Sequence, residues 1–276
     1  MEFSNKKNVD KVSLPNKLNP MQLVTLTTDF GTQDYYVGAF KGALLRRTPE
    51  LTLVDITHDI KPFDIVQGAF VVANIWREYP ENTIHLIGVN CVYQPDFRFV
   101  ALRHEGHFFL APDNGLLTIL FQQLDPANLR TLPANATEHF TVKNVFAAAV
   151  EHLVAGNPFE ALGEHPAPLL ERISIQPVIT PTRIRGTVIH IDNFENVVVN
   201  IRREIFEKTL NGREFSLFFR RNDPITRLSG NYCEVAMGEQ LCLFNAADFL
   251  EIAVNMGKAA TLLGLKVEDV VEVVFE

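Results

Sequence analysis

The feature that most constrains this chain is a change of hydrophobic period near its middle. In the first third, short apolar runs alternate with segments of helical spacing. Residues 23–26, 51–56 and 83–89 read as strands. Between them, residues 35–47 carry Tyr36, Val37, Phe40, Ala43 and Leu44 at helical spacing, and residues 65 to about 78 form a second helix with Asp64 as its N-cap. Helices between β-runs require a mainly parallel sheet covered on both faces. Residues 99–103 and 107–111 flank His104-Glu105-Gly106, a hairpin signal, and residues 115–122 and 145–154 read as further helices. Then 157–182 brings five prolines, Pro158, Pro166, Pro168, Pro177 and Pro181. Beyond them the chain reads as short strands at 184–191, 197–201, 214–219, 241–244, 250–254 and 270–275, with a short helix at 257–263. That spacing predicts a small barrel. The expected organisation is an α/β domain over 21–170 and a C-terminal β-barrel domain over 171–276. The polar first twenty residues are expected to be a disordered leader, with Met21 as an alternative start.

Charge narrows the partners. The formal net charge is −8 and no basic run is present, which argues against nucleic acid and against an anionic membrane surface. A cationic small molecule remains compatible. Cys91, Cys233 and Cys242 form no C-x-x-C pair, as in a reducing compartment such as the cytoplasm. No apolar run approaches the ~18 residues of a membrane span. The eight histidines show no metal-ligand spacing, and neither a Gly-rich phosphate loop nor a G-x-S-x-G elbow occurs, so no metal and no cofactor is expected. His58 reads as a satisfied structural histidine, and His104 and His107 as solvated hairpin residues.

Three polar clusters remain. Thr27-Thr28-Asp29-Phe30-Gly31 follows the first strand, and ligands of open α/β sheets bind outside the carboxyl ends of strands. Asp29 there either accepts hydrogen bonds from vicinal ribose hydroxyls or caps the following loop or helix. Asp113-Asn114-Gly115 reads as a turn that starts a helix, and Asp192-Asn193-Phe194-Glu195-Asn196 as a loop of turn formers at a strand end. Spacing alone reaches a nucleoside-like ligand between two domains.

Five segments, in order, resemble the S-adenosylmethionine (SAM) hydroxide adenosyltransferase family, related to the SAM-dependent fluorinases and chlorinases. They are LTTDFGTQDYYVGAFKGAL, VDITHDIKPFDIVQGAFVVAN, APDNGLL, GTVIHIDNFENVVVNI and LFNAADFLEIAVNMGKAATLLGL. The resemblance spans essentially residues 21–276. It implies a homotrimer whose sites lie between the N-terminal domain of one subunit and the C-terminal domain of its neighbour. SAM is the implied substrate or ligand; water or hydroxide attacks ribose C5′ in line with sulfur, and adenosine and methionine leave. By the same resemblance Asp29 holds the ribose hydroxyls, Asp34 helps hold the methionine ammonium, and Phe63 lines the pocket. Asp192, Phe194 and Asn196 match the motif at the methionine end and adenine, and Tyr232 an adenine-packing aromatic.

The nucleophile positions depart from the pattern. The family Asp aligns with Asn90, the Arg with Phe97 beside Arg98, and the His with Thr141, two residues after His139. Asn90 takes no proton, Phe97 supplies no charge, and Thr141 does not titrate near neutrality. At the substrate end a serine that binds the methionine carboxylate aligns with Ala246, followed by Ala247, and Glu195 replaces a glycine, adding a side chain beside the adenine. Three readings follow. The first is a SAM hydrolase whose nucleophile site is rebuilt around Arg98 and His139, with Asp96. The second is a SAM- or adenosine-binding protein without catalysis. The third is an altered reaction on another 5′-substituted adenosine.

Overall fold

A computed structural model of the chain describes residues 22–276 apart from 92–96, 122, 135–138, 167, 174 and 221–222. The leader expected over 1–20 and the alternative start at Met21 lie outside the described residues.

The N-terminal part runs β1 (Leu23–Thr28), α1 (Tyr36–Arg47), β2 (Thr52–Thr57), α2 (Ile65–Ala73), β3 (Ile84–Gly88), β4 (Phe99–His104), β5 (His107–Pro112), α3 (Leu116–Leu120), β6 (Leu129–Leu132) and α4 (Thr141–Val154). Its sheet has the order β2-β1-β3-β5-β4-β6. The first four strands are parallel, and β4 runs antiparallel between β5 and β6. Side-chain alternation decides the layers. Val24, Leu26 and Leu86 join Phe40 of α1 and Phe146 of α4 on one face. Ile87 and Phe109 join Val72 of α2 and Leu117 of α3 on the other. Both faces are covered, as the apolar runs require.

Two helix boundaries differ from the periodicity. The second helix stops at Ala73, where the Asn74 side chain turns back and donates to the Phe70 carbonyl at 2.8 Å. Only a 3-10 turn, Trp76–Glu78, follows. Helix α4 starts four residues before 145, straight after Phe140, whose left-handed backbone (φ 55°) ends the preceding loop.

His107 is not solvated. The hairpin turn is Glu105-Gly106, both at positive φ, and His107, the first residue of β5 as its strand spacing indicates, is only 4% exposed. It completes a buried file in which Thr25 Oγ1 meets His85 Nδ1 at 2.8 Å and His85 Nε2 meets His107 Nδ1 at 3.1 Å. Burial, then the neighbouring His107, depresses His85 to about 3. An unfolded histidine titrates near 6.5. Below that value the unfolded chain takes up a proton that folded His85 refuses, so stability falls as the pH drops from about 6.5 towards 3. The slope from this residue approaches roughly 1.4 kcal/mol per pH unit. His85→Gln is expected to flatten the slope, read from urea denaturation at neutral and acid pH.

The C-terminal part comprises β7 (Val178–Thr180), β8 (Arg183–Ile191), β9 (Val197–Arg202), α5 (Arg203–Leu210), β10 (Phe215–Phe219), β11 (Gln240–Phe244), β12 (Phe249–Val254), α6 (Ala259–Leu263) and β13 (Val270–Phe275). The strand order is β10-β13-β8-β9-β12-β11, antiparallel throughout, with β7 added against β8. The sheet curls around Phe206, Leu217, Ile252 and Val273. Gly186 permits the curl: a Cβ there would sit 2.7 Å from side-chain atoms of both Val199 and Ile201. The sheet is a curled half-barrel, and among the described residues no ladder joins its edges β10 and β11. Residues 225–229 touch both edges through isolated bridges, Leu217 to Ile225 and Leu228 to Cys242.

The two parts meet where Phe70 of α2 stacks on His190 of β8, with ring centroids 4.7 Å apart, and packs on Phe249 of β12. No helix among the described residues is long and apolar enough to cross a membrane.

Candidate functional site

The carboxyl ends of the parallel strands are braced by one carboxylate. Asp29 directly follows β1, and its Oδ2 accepts the backbone N–H of Phe63 and of Asn90, each at 2.9 Å. Phe63 lies before α2 and Asn90 after β3. Both occupy the left-handed region, at φ 69° and 52°. Such a backbone is uncommon for asparagine and an outlier for phenylalanine, and it persists only where surrounding structure imposes it. Asp29 therefore does not cap a local helix; α1 begins with no side-chain cap. Its Oδ1 accepts no hydrogen bond from the described residues. The Phe63 ring stands 64% exposed beside it.

Neighbouring side chains hold this brace. Asn114 donates to the carbonyls of Val89 (3.0 Å) and Asn90 (3.3 Å), and its own oxygen accepts Leu116 N–H. The Asp113-Asn114-Gly115 turn thus starts α3 and secures the end of β3 together. Beneath Asp29, buried Thr28 Oγ1 meets His58 Nδ1 at 2.7 Å. His58 Nε2 lies 3.0 Å from Asp55 Oδ1, and Lys41 closes the file on Asp55 Oδ2. His58 is a structural residue, as its sequence context indicates, and it links β2 to the loop that carries Asp29.

An aromatic wall flanks the brace. Phe30 meets Phe40 and Phe140 edge-on at 5.9 and 5.4 Å, and Phe140 meets Tyr36 at 5.3 Å. Phe140 fixes the entry to α4, so Thr141 is buried as its first residue while His139 remains exposed. Asp34 is exposed just before α1. Phe97 packs edge-on against Phe99 at 5.2 Å, which accounts for an aromatic at that position. Arg98 pairs with Asp113 and donates to the Pro168 carbonyl, while the other Asp113 oxygen accepts Leu170 N–H. Asp96 lies outside the described residues.

In the C-terminal part, Asp192 organises the turn between β8 and β9. Its Oδ1 accepts Phe194 N–H (2.9 Å) and Asn196 N–H (2.8 Å), and its Oδ2 accepts the Asn196 side-chain amide. The turn thrusts Phe194 outward, 73% exposed. Glu195, at φ 64°, turns its side chain towards the start of α6. Its carboxylate accepts Thr261 N–H and Oγ1–H and pairs with Lys258 at 2.9 Å, while its carbonyl accepts Ala260 N–H. The Thr261 and Lys258 hydrogen bonds hold this carboxyl below its ordinary range. Glu195→Gly is expected to lose these contacts but relax the backbone. Glu195→Ala loses them and keeps the strain, so it should be the less stable of the two by about 1 kcal/mol, measured by thermal denaturation.

Tyr232, 41% exposed, donates to Glu251 Oε1 at 2.8 Å, and Asn245 donates to Glu251 Oε2 at 3.2 Å. Burial of Glu251 pushes its carboxyl up. Sequence reasoning missed Asn245 and Glu251; the one cue was a glutamate inside the apolar strand FLEIAV. Among the described residues, no group of three His, Cys, Asp or Glu side chains could hold a metal ion.

The chain matches two family models, the SAM hydroxide adenosyltransferase N-terminal domain over residues 24–163 and the C-terminal domain of the same family over residues 186–272. It is 26% identical over 265 residues to an (R)-S-adenosyl-L-methionine hydrolase of Methanocaldococcus jannaschii, covering 92% of this chain and 97% of that one. It is 31% identical to an (R)-S-adenosyl-L-methionine hydrolase of Thermus thermophilus, covering 89% and 97%. The crystal structure of an uncharacterized conserved protein from Thermotoga maritima superposes with a TM-score of 0.82 at 27% identity, over 92% of this chain and 100% of that one.

Proposed function

We propose, because this chain belongs to the SAM hydroxide adenosyltransferase family, that it hydrolyses S-adenosylmethionine to adenosine and methionine. The observation that carries the reading is the Asp29 brace, which leaves Oδ1 as an acceptor at the carboxyl end of the parallel sheet. The ribose hydroxyls donate to that oxygen. Phe63, Phe194 and Tyr232 enclose the nucleoside, Asp34 receives the ammonium, and Asp192 with Asn196 shapes the facing turn. Water attacks C5′ opposite sulfur, the C5′–O bond forms, and the C5′–S bond breaks with its electron pair leaving on sulfur. The leaving group is a neutral thioether, so it requires no acid. The site's task is to orient ribose and nucleophile.

The nucleophile end is rebuilt in this reading. Asn90 and Thr141 orient the water, Arg98 stabilises its incipient negative charge, and His139 passes its proton to solvent. The Asp113 carboxylate supports this role by fixing the Arg98 guanidinium. We read the assembly as a homotrimer with sites between neighbouring copies, which the exposed rings of Phe63 and Phe194 support. The C-terminal sheet is read as a barrel completed by residues 225–229. The three unbonded cysteines support a cytoplasmic setting.

The test is incubation with each sulfonium epimer of SAM, following nucleosides by liquid chromatography and mass spectrometry. Equal amounts of adenosine and methionine are expected from the wild type. Arg98→Ala or His139→Ala should each slow release by about 10²- to 10⁴-fold. Release unaffected by both changes removes the rebuilt nucleophile site. Intact SAM alongside bound adenosine removes hydrolysis and leaves a binding protein.

A further inference from the structure

We infer that Arg202 receives the carboxylate at the amino-acid end of the substrate and sets the preference for ligands that carry one. The inference rests on the hydrolase reading above and adds a residue to it.

A ligand carboxylate favours a cation with free N–H donors, and a guanidinium matches it in two parallel hydrogen bonds. Several cations lie around the turns that frame the C-terminal side of the site. Arg203 is committed to Asp248 at 2.9 Å and Glu207 at 3.9 Å, Arg227 to Glu234 at 3.6 Å, and Lys258 to Glu195 at 2.9 Å. Arg202 forms no ion pair with any described residue, although Arg203 beside it takes two.

Arg202 is nevertheless held in place. Its Cζ sits 3.9 Å from the centroid of the Phe249 ring, and Nη1 donates to the Ala247 carbonyl at 3.0 Å. Phe249 in turn packs on Phe70 of α2. The guanidinium is partly desolvated, and burial lowers its proton affinity even with Asp248 opposing. It has five N–H donors, of which one has a described acceptor. Asp248 acts on it only from beyond salt-bridge distance, and a partly desolvated, oriented cation without a contacting carboxylate is a ready anion partner.

The cation also lies on the same loop system as the nucleoside-facing residues. Ala247 N–H donates to Asn245 Oδ1, Asn245 Nδ2 donates to Glu251, and Glu251 accepts the Tyr232 hydroxyl. Ala246 and Ala247 carry no polar side chain, and Asp248 is engaged by Arg203. On this turn Arg202 is therefore the group available to a carboxylate. It supplies from β9 what the two alanines lack.

The experiment compares kcat/KM for SAM with kcat/KM for the same sulfonium lacking the carboxylate, in the full-length wild type, Arg202→Met and Arg202→Lys. Methionine keeps packing on Phe249 and removes the charge. Adenosine affinity by calorimetry confirms that each variant is folded. Arg202→Met is expected to lose about 10- to 100-fold with SAM and to leave the decarboxylated sulfonium and adenosine within about twofold. Lysine should restore part of the loss, because it keeps the charge without the planar fork. An equal loss for both sulfoniums, no loss for SAM, or a wild type that does not discriminate the two overturns Arg202 alone. A wild type that releases adenosine from neither overturns the hydrolase reading, and this inference with it.

Discussion

Replacing Asp29 by alanine should lower kcat/KM for adenosine release by at least about 100-fold. The expectation does not rest on ribose binding alone. One oxygen of this carboxylate holds two backbone N–H groups that belong to residues in left-handed conformations, Phe63 and Asn90. Alanine leaves both donors without this acceptor; the exposed Phe63 amide turns to water, and the half-buried Asn90 amide costs about 1 kcal/mol. It also removes what opposes the strain at Phe63, so the ring next to the site and the residue at the nucleophile end both lose their placement. Asp29→Asn separates the two roles. Its side-chain oxygen still accepts both N–H groups, while its amide meets the ribose as a donor. The asparagine variant should therefore be nearly as stable as wild type and weak in adenosine affinity, whereas the alanine variant should be deficient in both. Calorimetric adenosine titration together with thermal denaturation reads the two quantities. An alanine variant with wild-type turnover would place the site elsewhere.

Phe206→Ala should destabilise the protein by about 3–5 kcal/mol, the range for removing a buried aromatic. Phe206 is fully buried and is the single buried residue of α5. Its ring meets Phe215 at 5.1 Å, Phe244 at 5.4 Å and Phe275 at 5.5 Å, all edge-on. These rings come from β10, β11 and β13, including both edges of the curled sheet, so one side chain fills the space that the curl encloses. Small-to-moderate relaxation is expected, because the surrounding aromatics are stiff. Equilibrium urea denaturation measures the loss, and a change below about 1 kcal/mol would show that the sheet collapses onto the cavity.

Phe206 also shows where the sequence is hard to read. The run REIFEKTL lies between two strands and is half charged, so the strand spacing on both sides absorbs it. The elements defined by local chemistry are legible: the apolar runs of β1 and β3, the Asp64 cap that accepts Gln67 N–H, and Val270–Phe275. What escapes is set by contacts distant in sequence. Glu195 is legible as a departure from glycine, but its left-handed backbone and its reach to Thr261 are not. Asp29 is legible as a carboxylate at a strand end, and local reasoning offers it a neighbouring N–H. The actual donors lie 34 and 61 residues away. His107 is legible as the first residue of a strand beside a turn, but its burial is set by His85 and Trp76, which lie 22 and 31 residues away. Five ordered segments identify the architecture, whereas the rebuilt nucleophile end depends on placements within loops.

The isolated bridges of residues 225–229 have a consequence for solubility. Strand β10 is FSLFF and β11 is QLCLF, two short apolar strands at the ends of an open antiparallel sheet. Unpaired edges of this composition are templates for strand addition from other chains. By contacting Leu217 on one edge and Cys242 on the other, this segment occupies backbone positions that a second molecule would otherwise use. It acts as a selvedge, finishing the fabric at the two places where the weave would otherwise keep growing into an aggregate.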